Sequence, residues 1–203
     1  MTNKKSVILL SGGLDSLVSM ASAKDSHNIQ LALTFDYGQK AAIREIEASK
    51  KIADFYNIKH EFIKLEWLEN ITKTALVNQD IDTPYLEISQ LDNYEMALET
   101  AKTVWVPNRN GVFINIAAAF CDSLNFTNII FGANKEEGVT FPDNTQEFID
   151  RINQLLEYST LQKPKLFAPL IELNKSEIIQ KAIELDVPLH LVRSCFLNTE
   201  MQC

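Results

Sequence analysis

The sequence has 203 residues, 46% of them hydrophobic and 23% charged, which is enough for one domain with its own core. A formal net charge of −8 disfavours nucleic acid and anionic membrane as partners, because both repel an acidic surface. No segment reaches the roughly 20 apolar residues of a membrane span, and three cysteines cannot form a paired disulfide framework, which indicates a reducing cytoplasm.

Strand and helix patterns alternate along most of the chain. Apolar runs predict strands over 6–10, 29–35, 59–65 and 128–131, and helical patterns cover 17–23, 40–56 and 115–124. Two more helices are predicted after Asn144 and Asn174, each followed by a Glu at the spacing of a capping box. This alternation is typical of an α/β fold, a Rossmann-like parallel sheet with helices on both faces.

Two segments add detail to this outline. In the helix after Asn144, the inner face is predicted to hold Phe148, Ile152 and Leu155. Between about 66 and 104 the periodicity is weak, so we expect an irregular insertion with a short helix or two, a candidate lid.

The glycine-rich turn from Ser11 to Ser16 is the main functional signal. It follows a buried strand and opens a helix, and its two glycines let the backbone approach an anion closely. The chain has no Gly-Lys dipeptide and no Gly-x-Gly-x-x-Gly spacing, so this is neither a P-loop nor a dinucleotide fingerprint. A phosphate site is predicted, with a cation such as Mg²⁺ between the phosphates and Asp15.

Several basic residues are candidate anion ligands. Arg109 lies between two Asn residues and offers fork-like donors to a carboxylate, a phosphate or a base edge, although a solvated Arg at a helix start fits equally well. Lys175 lies in the first turn of a helix, against the dipole, which a bound anion would explain and a flexible solvated Lys would also explain. Lys40, after Gly38-Gln39, is a similar candidate.

Acidic and thiol groups leave further alternatives open. Glu136 and Glu137 follow a strand and could bind a metal or an amino-purine, or could belong to a solvated loop. Cys195 and Cys203 could supply half of a tetrahedral zinc site, or could be two free thiols. Cys121 lies in an apolar helix and is predicted to be core.

Taken together, these motifs resemble one branch of a known superfamily. The loop from Leu10 to Ser16 is similar to that of the ATP pyrophosphatase superfamily, whose members split ATP between the α and β phosphates. The ordered set resembles the QueC or ExsB-type family of queuosine biosynthesis over nearly the whole chain. Its further segments are Tyr37–Lys40, Val106–Asn110, Gly132–Asn134, Pro142–Asp143, Pro169–Ile178 and Ser194–Phe196.

The resemblance implies a fold and an activity. It implies an adenine nucleotide alpha hydrolase-like α/β domain over 1–194 and the start of a zinc-binding segment over 195–203. The implied reaction is the ATP-dependent conversion of 7-carboxy-7-deazaguanine and ammonia to 7-cyano-7-deazaguanine through an activated carboxylate, in a homodimer. Of the family's four zinc-binding cysteines, Cys195 and Cys203 match the first two, so the zinc site is expected to be incomplete unless two more follow.

The resemblance also implies roles for single residues. Catalytic roles fall to Asp15, Lys175 and Arg109. Substrate contacts are implied for Arg109, Asn110, Asn134, Glu136 and Asp143. ATP contacts, with Mg²⁺, are implied for Leu9, Leu10, Ser11, Gly12, Gly13, Leu14, Asp15, Ser16, Leu17, Val18, Ser19 and Lys40. The alternatives are another ATP pyrophosphatase, such as a tRNA-thiolating enzyme, and a non-catalytic nucleotide-sensing module.

Overall fold

A single parallel sheet forms the centre of the protein in a computed structural model that describes residues 4–78, 80–82 and 100–193. Its strands are β1 Lys5–Leu9, β2 Asn28–Asp36, β3 Lys59–Lys64, β4 Asn128–Ile130 and β5 Lys165–Phe167. They lie in the order β3-β2-β1-β4-β5, and every neighbouring pair is parallel. The predicted α/β sheet is therefore confirmed. The sequence patterns missed β5, because three residues with one buried side chain give no period to detect.

Seven helices connect and cover these strands in the described part of the chain, together with a helical segment at 100–104. They are α1 Leu14–Ala23, α2 Ala42–Phe55, α3 Glu66–Ile71, α4 Arg109–Leu124, α5 Lys135–Thr140, α6 Gln146–Ser159 and α7 Lys175–Glu184. Short 3₁₀ turns occur at Pro142–Asn144 and Leu189–Leu191. None of the helices in the described ranges has both the length and the apolar character that a bilayer span requires.

The sheet is buried on both faces, which explains the apolar run Val7–Leu10 in and just after β1. Val7 and Leu9 join the core under α4 and α6. Ile8 and Leu10 join the opposite core under α1, α2 and α7. Ile8 pairs with a strand on each side, because β1 lies between β2 and β4. At the positions of β1 that have strand neighbours on both edges and helices on both faces, a side chain cannot reach water.

The start of α4 corrects a predicted boundary. The sequence patterns placed this helix from 115, but it begins at Arg109, so Arg109 and Asn110 lie in its first turn rather than before it. Asn108 precedes the helix with a φ of 49°, a left-handed conformation that Asn tolerates better than most residues. The polar Arg-Asn-Gly sequence hid the helix start, because the apolar period begins only after it.

The start of α6 corrects a second prediction. Thr145, not Asn144, caps this helix, and its Oγ1 accepts a hydrogen bond from the Phe148 N–H at 3.2 Å. Leu155 is 47% exposed whereas Leu156 is fully buried, so Leu155 was wrongly placed on the inner face. The predicted capping box of α7 is confirmed, with Asn174 and Glu177 each bonding the other's backbone N–H.

The predicted insertion over about 66–104 is described only in part. It contains α3 and the helical residues 100–104, in accord with the expected short helices. Residue 79 and residues 83–99 lie outside the described part, and so does the proposed lid within them.

The strand order places a crevice beside β1. The chain runs outward from β1 to β2 and β3, and then returns to β4 on the other side of β1. Loops that follow two such strands diverge, so the carboxyl ends of β1 and β4 border an open crevice where α/β proteins bind ligands. The glycine-rich loop and the segment from Gly132 to Asn134 both lie there.

Candidate active site

The glycine-rich loop is held by bonds between its own serines. The Ser16 hydroxyl donates to the Gly13 carbonyl at 3.0 Å, and the Ser11 N–H donates to the Ser16 oxygen at 3.3 Å. The two hydroxyls are 3.2 Å apart. This arrangement turns the loop around the start of α1, whose first N–H groups have no partner within the helix. The loop therefore has the geometry of an anion site.

Gly12 is required by the way the loop packs on α2. Its φ is +80°, and an added Cβ would come within 2.9 Å of the Ala48 Cβ and 3.0 Å of the Glu45 carbonyl oxygen. Gly13 has no such constraint, since the nearest atom to an added Cβ is the Ser11 Oγ at 3.4 Å. The first glycine thus serves the fold, while the second keeps the loop surface open.

The β4–α5 connection packs directly on this loop. A Cβ at Gly132 would lie 3.1 Å from both the N and the Cα of Ser16. The next polar residue, Asn134, is fully buried and caps α5 by accepting from the Glu137 N–H at 3.0 Å. Its Nδ2 donates to the Asp15 Oδ2 at 3.3 Å. Asn134 therefore orients Asp15 from within the protein.

Asp15, Lys175 and Glu137 form an ion-pair cluster at the mouth of the loop. The Lys175 Nζ lies 2.5 Å from the Asp15 Oδ2 and 3.1 Å from the Glu137 Oε1. The Lys175 backbone N–H donates to the Glu136 Oε1 at 2.9 Å. The basic residue at the start of α7 thus has carboxylate partners in the protein itself, a reason for its position that the sequence could not reveal.

Burial shifts the protonation of this cluster. Burial raises the pKa of Asp15, against the opposing effect of its hydrogen bond with Lys175. For Lys175, burial acts to lower the pKa, but the hydrogen bond and charge of Asp15 and the charge of Glu137 outweigh it and raise the pKa. The ammonium therefore stays charged at neutral pH, available to an anion that competes with its carboxylate partners.

Asp15 also has the chemistry of a cation ligand. Its Oδ1 is buried and has no hydrogen-bond partner in the described part of the chain, while Oδ2 has two. A buried carboxylate oxygen without a donor is unfavourable unless a cation or donor completes it. No cluster of three or more His, Cys, Asp or Glu side chains suited to a metal occurs among residues 4–78, 80–82 and 100–193. A cation at Asp15 would therefore need ligands that are not side chains, such as phosphate oxygens and water.

A second polar group faces the same crevice from α4. The Arg109 Nη1 donates to the Tyr37 Oη at 3.4 Å, and its Nε donates to the Asn110 Oδ1 at 3.4 Å. Asp143 interacts electrostatically with Arg109, whose charge lowers the Asp143 pKa, although burial raises that pKa more. Arg109 and Asp143 thus place opposite charges in one partly buried environment.

One cavity of about 850 Å³ joins these groups. Its walls include the loop residues Ser11, Gly13, Asp15 and Ser16 as well as Lys175, Glu137, Arg109 and Asp143. That volume lies within the usual range for ligand pockets, about 300–1,000 Å³. The cavity is therefore large enough for a small-molecule ligand.

The structure distributes the predicted site residues unevenly. Leu9, Leu10, Leu14 and Asn110 also line the cavity. Leu17, Val18 and Ser19 are fully buried inside α1 and do not line it. The Lys40 Nζ instead donates to the Ile81 carbonyl at 2.5 Å, which ties the insertion to the start of α2. Glu136 is exposed outside the cavity, where its neighbour Glu137 lines the wall.

The cavity also has lining residues to which the sequence assigned no role, among them Tyr37, Glu45, Trp105 and Phe141. Tyr37 and Glu45 lie beside Arg109, and Trp105 and Phe141 contribute aromatic rings to the wall. Burial raises the pKa of Glu45, whose Oε2 accepts from the Gln39 side chain at 2.8 Å. Tyr37 belongs to one of the segments that carry the family resemblance, and Trp105 and Phe141 directly precede two others. Nothing in the local pattern of these residues or of Glu45 separates them from core or solvent-facing residues.

The zinc prediction lies outside the described residues. Cys195 and Cys203 belong to 194–203, for which no structure is described, so the cysteine pair and the segment boundary stay predictions. Cys121, in contrast, is a buried free thiol, as expected for a core residue.

Comparison with known sequences decides the family. Residues 5–203 match the family described as "Queuosine biosynthesis protein QueC". The chain belongs to the QueC family. A relative named 7-cyano-7-deazaguanine synthase from Methanosarcina barkeri is 44% identical over 202 residues, covering 98% of this chain and 87% of the relative. One of the same name from Carboxydothermus hydrogenoformans is 46% identical over 200 residues, covering 98% and 92%.

Solved structures of low identity share the fold of this QueC-family chain. NMN synthetase from Francisella tularensis has a TM-score of 0.51 at 18% identity, covering 96% of this chain and 66% of that one. The U34-tRNA thiolase NcsA from Methanococcus maripaludis, solved with its [4Fe-4S] cluster, has a TM-score of 0.52 at 16% identity, covering 95% and 59%. At such identity the likeness establishes the Rossmann-like architecture alone.

Proposed function

We propose that this QueC-family chain is an ATP-dependent C–N ligase that converts 7-carboxy-7-deazaguanine and ammonia to 7-cyano-7-deazaguanine. The observation that carries the proposal is the single cavity of about 850 Å³ with the glycine-rich loop on one wall and Arg109 and Asp143 on another. Such a cavity can hold a triphosphate and an acidic base together. The names of relatives 42–46% identical to this chain support the same product.

The chemistry must overcome the low reactivity of a carboxylate. Attack of a carboxylate oxygen on the α-phosphorus of ATP releases pyrophosphate and leaves an acyl adenylate. Ammonia then attacks the acyl carbon, AMP leaves, and an amide forms after loss of a proton. The amide oxygen then attacks the α-phosphorus of a second ATP and releases a second pyrophosphate. The oxygen departs with AMP, the nitrogen loses its two protons, and the nitrile forms.

The residues of the loop support phosphate binding in this scheme. Ser11 and Ser16 supply hydroxyls, and the first turn of α1 supplies N–H groups and the positive end of the helix dipole. Lys175 lies at the edge of the loop and can exchange a carboxylate partner for a phosphate oxygen. Charge that develops on the phosphates during transfer would be stabilised there.

Arg109 is the proposed ligand of the substrate carboxylate or of the developing adenylate. Its guanidinium is held by Tyr37 and Asn110, so part of its donor set is fixed before any ligand binds. Asn134 acts through Asp15 and is a positioning residue, and Asp143 is proposed to contact the base.

We also propose that Asp15 helps to hold Mg²⁺ through its buried Oδ1. The cation would neutralise phosphate charge when bound. The homodimer, the cytoplasmic location and the zinc site stay predictions beside this proposal.

The direct test is turnover. The full chain is incubated with ATP, Mg²⁺, ammonium and 7-carboxy-7-deazaguanine, and nitrile, AMP and pyrophosphate are measured. We expect nitrile with AMP, a strong loss of turnover in Asp15→Asn, and little change in Asp25→Asn, an exposed control after α1.

The two alternatives predict different results. ATP binding without any nitrile would favour a nucleotide-sensing module. Salt-dependent tRNA binding with sulfur transfer would favour a thiolating enzyme, which the acidic surface and the QueC-family match argue against.

A further inference from the structure

The cavity has an aromatic wall that the phosphate chemistry does not use. Trp105 lies before α4 and Phe141 lies after α5, and both line the cavity. Their ring planes are within 12° of parallel, with centroids 6.1 Å apart. The two half-buried rings therefore stack on each other and together form an aromatic part of the cavity wall. Flat heteroaromatic rings stack on such surfaces without regard to their own hydrogen-bond pattern.

The aromatic wall has a carboxylate beside it. Asp143 follows Phe141 by two residues and lines the same cavity. Its side chain accepts a hydrogen bond from the Asn144 amide at 3.2 Å through Oδ1 and a second one from its own backbone N–H. A carboxylate has about four acceptor sites, so acceptor capacity remains for a ligand. Burial raises the pKa of this carboxyl, as is expected where water is largely excluded. A ligand that donates hydrogen bonds would replace the hydrogen bonds with water that the carboxylate loses on burial.

This pairing favours one class of planar ring over another. A guanine-type pyrimidine edge presents a ring N–H next to an amino group, and these two donors match the two oxygens of a carboxylate. An adenine edge presents an amino donor next to a ring nitrogen that accepts, so a carboxylate would face one repulsive lone pair. Asp143 therefore discriminates against the adenine of ATP at this wall.

We propose that the guanine-type ring of the substrate packs against the stacked pair of Trp105 and Phe141 while Asp143 accepts hydrogen bonds from its ring N–H and amino group. The inference rests on the proposed function for the identity of the substrate, and it assigns the residues that recognise the ring. In this arrangement the aromatic wall binds the base and the glycine-rich loop binds the triphosphate, so the two reactants have separate sites in one cavity.

The two tryptophans of the chain make this testable by fluorescence. Trp67 lies in α3, is 51% exposed and does not line the cavity, so Trp67→Phe leaves Trp105 as the single reporter. Titration of this full-length variant with 7-carboxy-7-deazaguanine should quench the remaining emission. The same titration of Trp105→Phe, which keeps Trp67, should give little change while calorimetry still detects binding.

Affinity changes then assign each group. Trp105→Ala and Phe141→Ala should each weaken binding of the base by roughly 10- to 100-fold, as expected for a lost stacking partner. Asp143→Asn should lower the affinity for the base at least about 10-fold and leave the affinity for ATP unchanged. Circular dichroism and melting curves confirm that each variant is folded, and Phe141→Tyr, which keeps the ring, should bind like the wild type.

The outcomes separate this proposal from the proposed function. If the base binds but the alanine variants retain wild-type affinity, or if ATP alone quenches Trp105, the aromatic wall does not hold the substrate ring. If the quench and its loss occur as expected while the wild-type chain forms no nitrile, the aromatic wall stands and the proposed reaction fails.

Discussion

Asp15 and Lys175 are 160 positions apart in the chain, yet the Lys175 Nζ lies 2.5 Å from the Asp15 Oδ2. The contact joins the first turn of α1 to the first turn of α7 across the crevice between β1 and β4. Both helices point their N-termini at this place, so two positive dipole ends and one ammonium surround a carboxylate. This geometry is consistent with the proposed binding of a phosphate together with a cation at the loop.

Replacement of Lys175 should strongly reduce activity and only slightly reduce the stability of the fold. Its side chain is 41% exposed, so its ion pairs should contribute less than about 1 kcal/mol to the free energy of unfolding. Lys175→Met should lower kcat by about 10²- to 10³-fold, in the range seen when a group that stabilises developing charge is removed. Pyrophosphate release measures kcat, and urea titration measures stability.

Lys165→Met provides the matched control. Lys165 also forms an ion pair, with Glu157 at 2.6 Å, but does not line the cavity. A comparable loss of turnover in both variants would show that the effect is general and would remove the proposed role of Lys175.

Gly12→Ala should unfold the loop rather than only impair binding. The new Cβ would lie 2.9 Å from the Ala48 Cβ at a φ of +80°, so we expect a loss of at least about 2 kcal/mol in the free energy of unfolding. Gly13→Ala meets no atom closer than 3.4 Å and should keep wild-type stability. Urea denaturation of both variants checks this, and equal stabilities would contradict it.

Asn134→Asp should separate helix capping from the orientation of Asp15. An Asp still accepts from the Glu137 N–H, so the cap of α5 survives. The amide donor to the Asp15 Oδ2 becomes a carboxylate oxygen, which repels it and should weaken magnesium–ATP binding by about 10-fold or more. Calorimetry with ATP and Mg²⁺ measures this, and Asn174→Asp, which caps α7, should leave the affinity unchanged.

Cys121 should make the stability of the protein depend on alkaline pH. Burial raises the pKa of this thiol from 9.0 to about 12. Folding then favours the protonated thiol, so its contribution is complete below pH 9 and is lost as the pH rises toward the folded value. The free energy of unfolding should fall by at most about 1.4 kcal/mol per pH unit through this group.

The matched measurement compares the wild type with Cys121→Ala by urea denaturation at pH 8, 9.5 and 10.5. Tyrosines and other thiols titrate in both proteins, so the difference between the two slopes reports Cys121. Parallel slopes would mean that the thiol ionises equally in the folded and unfolded states.

The adjacent leucines of α6 test the corrected inner face. Leu156→Ala should lower the free energy of unfolding by about 2–5 kcal/mol, because this side chain is fully buried in the core on one face of the sheet. Leu155→Ala should change the free energy of unfolding by no more than about 0.5 kcal/mol, since Leu155 is 47% exposed. Urea denaturation of the pair distinguishes this face from the one that the sequence pattern predicted, for which the costs would be reversed.

The sequence by itself determined the alternation of strands and helices, the parallel sheet and the glycine-rich loop at Ser11–Ser16 between a strand and a helix. These are local properties, because the apolar period, the glycines and the capping residues all lie within short, continuous stretches of the sequence. The capping box at Asn174 and Glu177 was readable for the same reason. The order of the motifs along the chain also indicated the family to which the protein belongs.

Only the tertiary structure decided which of the candidates share one cavity. Lys175 meets Asp15 and Glu137, whereas Lys40 bonds the Ile81 carbonyl and Glu136 stays outside the cavity. Trp105 lies just before α4 and Phe141 just after α5, and the two rings become neighbours only in the folded protein. Contacts between residues far apart in the chain depend on strand order and helix packing, and no local pattern of residues encodes them.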